Sequence, residues 1–301
     1  MVSGRRPKKK ETTMRAVEAN LRRHLAILCD EIGPRSLYQP QALERAARYL
    51  EATFADYGYT VTPQEYSWMG GSFRNLVLEL PGQGDTEEIV VMGAHYDSVP
   101  GTPGADDNAS AVAALLELAR LCREVRPARS VRLVAFTLEE PPAFLTPWQG
   151  SRVYARELRR RGEQVVGMVA LEMLGYYSDR PNSQHFPLFP LRWFYPTVGN
   201  FVAVVSNLRS RSLMLKVREA VRRGCDLPVE SLAAPPLVPG LSLSDHSSFW
   251  HYGFPAVMVT DTAFFRNPNY HCSSDRPATL DFARMVECVR GLRQVVMELG
   301  G

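Results

Sequence analysis

The sequence predicts an α/β fold: a single domain with a central mixed, largely parallel sheet flanked by helices on both faces. Three observations predict it. Short apolar runs such as Ile89 to Gly93 and Ala256 to Thr260 lack alternation and read as strands buried on both sides. Such runs alternate with segments of helical periodicity, the pattern of sheets covered by helices. The chain has 301 residues, 45% of them hydrophobic, so a large core can be buried, and no internal repeat or clear domain boundary divides it.

Met14 to Cys29 carries Leu21, Leu25 and Leu28 at helical spacing and breaks at Gly33-Pro34. Gln41 to Tyr57 repeats the pattern and stops at Gly58, a C-terminal cap. Thr60 to Trp68 and Phe73 to Leu80 are rich in β-formers and flank Gly70-Gly71, so they read as an antiparallel pair. Strands are then expected at Ile89 to Gly93, Val131 to Leu138, Val165 to Met173, Phe201 to Val205 and Ala256 to Thr260. Helices are expected at Ala109 to Leu121, Ser151 to Arg161, Leu213 to Arg223 and Leu280 to Leu299. Three proline-rich stretches, 141–147, 176–200 and 233–243, interrupt the alternation, and long loops in compact domains tend to be functional.

The net charge of +3 hides a division. Arg5, Arg6, Lys8, Lys9 and Lys10 carry +5, leaving −2 on the remainder, so residues 1–13 read as a basic, disordered tail ahead of a domain at 14–301. A nearly neutral body argues against nucleic acid as the main partner. No apolar run approaches the length of a membrane span, and no apolar stretch follows the first basic residues as in a secretory signal. The five cysteines have neither zinc-ribbon nor disulfide-framework spacing, which points to a reducing, cytoplasmic setting.

The chemistry gathers where strands end. His95 and Asp97 follow the strand closing at Gly93; alone they could be a hydrogen-bonded pair, or Asp97 could orient a metal-binding ring. Asp106-Asp107-Asn108 opens the next helix, where one acid would serve as a cap and two exceed that need. Glu139-Glu140 ends the following strand and suits a division of labour, one residue on metal and one moving a proton. Glu172 lies in the apolar context Val169 to Leu174, where an unpaired carboxylate costs several kcal/mol, so it wants a cation, either a metal or one of the 31 arginines. His271 follows the last strand in Asn269-Tyr270-His271. This nitrogen and oxygen set suits zinc, with cobalt or manganese as substitutes. It has too many members for one catalytic zinc with an open position, and fits two ions sharing a carboxylate.

The segments Gly93 to Ser98, Gly104 to Ser110, Glu139-Glu140, Glu172 to Gly175 and Asn269 to His271 stand in the order found in the dizinc aminopeptidases of peptidase family M28, which the chain resembles from about His95 to Pro277. The resemblance implies a mixed sheet of about eight strands and two zinc ions. It implies His95 and Glu172 on one ion, Glu140 and His271 on the other, and Asp107 bridging both. It further implies Glu139 as general base and acid, and hydrolysis of an N-terminal peptide bond by a hydroxide held between the ions. Many members have Asp where this chain has Glu172, which bears on the geometry of that ion. Tyr270 is the candidate to stabilise the oxyanion or only to pack. Asp245 reads as a helix cap, although the resemblance places its stretch near the cleft, and Phe186, Phe189, Trp193, Phe194 and Tyr195 either line an apolar specificity pocket or pack on the core.

Other amide chemistry on the same scaffold, by a carboxypeptidase-like deacylase or a glutaminyl cyclase, is the competing reading. A binding module without activity should have lost ligands or the base, and all are present. No glycine-rich phosphate loop follows a strand, which disfavours a nucleotide-binding protein.

Overall fold

The computed structural model describes residues 6–301, with side chains from Thr13 onward. Helix α1 (Arg6–Leu25) runs through the boundary expected at residue 13, and residues 1–5 of the basic tail lie outside the described residues. A wider π-helical turn, Ala26–Ile32, extends α1 to Gly33, whose positive φ ends it. Helix α2 (Pro40–Asp56) starts on a proline, where a missing N–H costs nothing.

Strands β1 (Thr62–Trp68) and β2 (Gly71–Leu80) pair antiparallel, and β3 (Glu88–His95) follows. After the turn 105–110 come helix α3 (Ala111–Cys122), strand β4 (Ser130–Phe136), helix α4 (Gly150–Arg161) and strand β5 (Gln164–Glu172). The second half holds β6 (Val202–Ser206), α5 (Arg211–Gly224), β7 (Val229–Ala233), α6 (His246–His251), β8 (Ala256–Thr260) and α7 (Phe282–Gly300).

All eight strands form one sheet in the order β1-β2-β4-β3-β5-β8-β6-β7. The four central strands β4, β3, β5 and β8 are parallel, so their C-terminal ends emerge on the same side. The expected mixed α/β sheet is what forms; β7 is an eighth strand that the apolar pattern does not reveal. Its sequence, Val-Glu-Ser-Leu-Ala, is mostly half-buried at the sheet edge, so polar residues are tolerated and interrupt the apolar run.

Why the central strands read as unbroken apolar runs is visible in the two cores. Val90, Met92, Val169, Leu171, Val257 and Val259 pack with the helices α1, α3, α5 and α7. Their alternates Ile89, Val91, Met168, Ala170, Ala256 and Met258 pack on the other face beside α4 and α6. Both faces are covered, so both side-chain sets must be apolar.

One cation holds the approach to the central strand ends. Arg35 is fully buried and donates to five backbone carbonyls, of Leu28, Gly33, Tyr96, Pro103 and Gly104, at 2.6–3.1 Å. A guanidinium has five N–H donors in a rigid fork, which lysine could not replace.

Candidate active site

The parallel strands deliver the acids and imidazoles to one place. His95 is the last residue of β3 and Glu172 the last of β5, and both side chains are buried. Glu139 and Glu140 follow β4 by three and four residues. Asp107 comes from the turn 105–110 that opens α3, and His271 from the loop after β8. Gly104 is required where this turn begins: its φ is +57°, and a Cβ there would stand 2.3 Å from the Asp107 carbonyl oxygen.

Left-handed backbone marks the site. Leu138 precedes Glu139 at φ 52°, Met173 follows Glu172 at 48°, and His271 itself sits at 57°. Non-glycine residues held there cost about 1–3 kcal/mol each and persist only when their surroundings enforce them. Here they let the chain turn sharply off a strand end while its side chain stays aimed at the centre.

Distances divide the six groups into two sets joined by Asp107. His95 Nε2 lies 3.4 Å from Asp107 Oδ1, 3.4 Å from Glu172 Oε2 and 3.9 Å from Glu139 Oε2. His271 Nε2 lies 3.1 Å from Asp107 Oδ2 and 3.5 Å from Glu140 Oε2. His95, Asp107 and Glu140 also converge as a group able to share an ion, their donor atoms within 4.8 Å of one another. Donors bound to zinc at about 2.0–2.2 Å in tetrahedral directions stand about 3.3–3.5 Å apart, so these spacings suit zinc. Glu140 Oε1 is buried without a hydrogen-bond partner, as befits an atom meant for a cation.

The electrostatics fit a site built to hold positive charge. Burial, then the neighbouring acids Asp107 and Glu139, hold the Glu140 carboxyl well above its ordinary range. Burial outweighs the opposing pull of His95 at Glu139 and Glu172, and both are raised. For His95, burial favours the neutral ring, yet Glu172 and Glu139 overcome it and raise the imidazole well above its usual value.

A second layer of polar groups holds the first. Asp97 accepts the N–H groups of Glu139 and Glu140, each at 3.0 Å, and its Oδ1 lies 3.4 Å from His95 Nδ1. It therefore fixes the Glu139-Glu140 turn by hydrogen bonds, while its approach to the ring exceeds ordinary hydrogen-bond length. Asp275 accepts the N–H groups of Asp106 and Asp107 at 2.9 and 3.1 Å. Asn108 clamps the end of β5, donating to the Leu171 carbonyl and accepting from the Met173 N–H. Ser244 donates to Glu172 Oε2 at 2.7 Å.

Asp275 and Ser244 carry no pattern that singles them out in the sequence, and Asn108 stands out there only as part of the turn that opens α3, with nothing to announce its clamp on β5. Asp245 is a correction: it stands just before α6 but makes no side-chain cap bond, and it is fully buried. Burial pushes its carboxyl up to about 7. It belongs among the charges around His95 and Glu172: His95 opposes the rise most strongly, and Glu172 adds to it. The arginine alternative for Glu172 is not realised, since its partners are His95 and Ser244.

A cavity of about 120 Å³ opens beside Glu172 and Tyr270. Its walls come from two of the long loops, including Phe186 and Tyr195, Val238 and Leu241, and from Phe265. Of the other loop aromatics, Phe189, Trp193 and Phe194 are exposed to solvent by 64–78% and do not line it. Tyr270 stacks on the His271 ring with centroids 3.8 Å apart.

Comparisons with known proteins agree with this geometry. The model of Peptidase family M28 matches residues 75–296. An uncharacterized protein of Escherichia coli strain K12, YfbL, is 39% identical over 290 residues, covering 93% of this chain and 88% of the relative. Leucine aminopeptidase 1 of Uncinocarpus reesii is 25% identical over 81% of this chain, which spans 59% of that protein's length. Among solved structures, a zinc aminopeptidase from Bacillus subtilis superposes with a TM-score of 0.73 at 15% identity, covering 94% of this chain and 95% of that one. A Fimbriiglobus ruber glutaminyl cyclase reaches 0.67 at 19% identity over 93% of this chain and 94% of its own, so the fold alone does not choose between their chemistries.

Proposed function

The chain belongs to peptidase family M28, and on that premise we propose that it is a zinc aminopeptidase hydrolysing the N-terminal peptide bond of peptides or aminoacyl amides. The observation that carries a two-metal reading is Asp107, whose two oxygens each face a different histidine, at 3.4 and 3.1 Å. In this reading His95 and Glu172 hold one zinc, Glu140 and His271 the other, and Asp107 both; cobalt or manganese could replace zinc. When bound, the ions supply Lewis acidity, lowering the pKa of water and polarising the scissile carbonyl. Glu139 takes the proton of the attacking water and returns it to the leaving amine. Tyr270, beside the His271 ring, points to a role in steadying the oxygen that gains charge. Its cavity wall supports a place next to the first substrate residue.

Charge favours an amine over a carboxylate at the substrate terminus. Glu172 stands at the cavity mouth, and among the described residues no lysine or arginine lines the cavity to pair with an α-carboxylate. That supports an aminopeptidase over a carboxypeptidase-like enzyme. The mostly apolar walls favour a first residue whose side chain is long enough to lie along them. Five free cysteines, four of them buried, fit a cytoplasmic location.

Metal analysis coupled to a base variant tests the proposal. Purified protein should bind about two zinc ions per chain, lose aminoacyl-anilide hydrolysis to a chelator and regain it with zinc. Glu139→Gln should keep the metal but lose about 10²- to 10⁴-fold in kcat, the usual contribution of a positioned base. Cyclisation of N-terminal glutamine without hydrolysis would establish the cyclase instead, and metal binding without turnover a binding module.

A further inference from the structure

The cavity beside Glu172 holds one more acid whose position the hydrolytic chemistry does not explain. Glu230 lies on the edge strand β7 and lines the cavity. Val229 and Ala233, its neighbours one and three residues away, pack toward the helices of the opposite face. The register across the sheet runs Glu172 to Thr260, Thr260 to Ala203, and Ala203 to Glu230, a single row over four strands. Residues in one row project to the same side, and all four line the cavity. Strands about 4.8 Å apart place the Glu172 and Glu230 backbones about 14 Å from each other.

Between these acids the floor is apolar, with Ala203, Val205 and Met258. Among the described residues the Glu230 side chain makes no hydrogen bond or ion pair. The nearby Tyr195 hydroxyl donates instead to the Ser231 carbonyl at 2.9 Å. Its carboxylate therefore stands at an apolar cavity wall with its hydrogen-bonding capacity free for a ligand.

We propose that Glu230 selects a basic N-terminal residue, lysine or arginine, by pairing with the end of its side chain. The inference rests on the aminopeptidase reading. A residue held by its amine beside Glu172 needs a side chain of about 6–7 Å to bring a cation within hydrogen-bond reach of Glu230, which lysine and arginine have and leucine lacks. Their aliphatic stems lie along Ala203, Val205 and Met258 while the charged head reaches the acid. Leucine enters the same cavity and stops on the apolar floor. Glu230 is thus a specificity residue, remote from the reacting atoms.

Two measurements on the zinc-loaded protein and its Glu230→Gln and Glu230→Asp variants test this. The first is kcat/KM on arginine, lysine and leucine p-nitroanilides. In Glu230→Gln the ratio of the basic substrates to leucine should fall about tenfold or more, with Glu230→Asp recovering part of it. A ratio within about twofold of wild type overturns the proposal. The second is calorimetric binding of agmatine and isoamylamine, decarboxylated stand-ins for arginine and leucine. Agmatine should bind about tenfold or more tightly than isoamylamine to wild type, and the gap should close in Glu230→Gln. Equal binding of both to wild type also overturns the proposal. If no anilide is hydrolysed but agmatine selectivity depends on Glu230, the aminopeptidase reading fails and the assignment of Glu230 stands.

Discussion

The two halves of the site are built differently. His95 and Glu172 are terminal residues of adjacent strands, both buried, with Ser244 bonded to Glu172 and Asp245 packed nearby. His271 comes from a loop, in left-handed backbone, with 33% of its side chain exposed, and Glu140 faces it from a turn. The difference teaches that a strand end gives position and a loop gives access. A dry, clamped half fixes geometry, while the open half meets solvent and exchanges what it holds more readily.

The largest effect should come from the residue the halves share. Asp107→Asn should lower zinc per chain below one and reduce hydrolysis by several orders of magnitude, measured by metal analysis and single-substrate kinetics. Retention of both ions would break the comparison, since neither half would then depend on the shared carboxylate.

Exchanging the two histidines for alanine should separate the halves directly. His271→Ala should keep about one zinc and nearly the wild-type melting temperature. His95→Ala should lose more metal and melt several degrees lower, because it leaves a cavity and unpaired acids in a buried place. Equal behaviour in calorimetry and metal content would remove the asymmetry.

A smaller effect is expected one layer out. Ser244→Ala removes the hydroxyl bonded to Glu172 and should weaken zinc at the buried half about 10- to 100-fold in a chelator competition. The His271 half should hardly respond.

The smallest is a pH effect confined to the buried half. Asp245 is raised to about 7 in the folded, metal-free chain, against about 4 for an exposed aspartate. Between those values the folded state holds a proton that the unfolded state has released, so this group costs stability as pH rises from about 4 to 7. Asp245→Asn in chelated protein should therefore raise the melting temperature by a few degrees at pH 7.5 and little at pH 4. The opposite ordering would show that Asp245 is not held neutral by burial.

Much of this was legible in the sequence because burial leaves a period. The central strands read as apolar runs since both faces are covered, and the acids and imidazoles stood out as polar residues at the ends of such runs. Edge strand β7 escaped because Glu230 and Ser231 break its apolar pattern. Asp275, Asn108 and Ser244 act through one or two hydrogen bonds each from loops and turns, which no periodicity announces. Asp245 looked like a cap because sequence shows that an acid precedes a helix, not whether its carboxylate turns to the helix or to the core.

Arg35 has a consequence for anyone shortening this chain. The stretch matched by the family model begins at Asn75, forty positions after Arg35, so trimming to that stretch would keep all six central side chains. It would also strip three of the five carbonyls, those of Tyr96, Pro103 and Gly104, of their shared donor, and these flank the path from His95 to Asp107. The stretch that carries the six central side chains is therefore shorter than the stretch that holds them in place, which reaches back at least to this guanidinium.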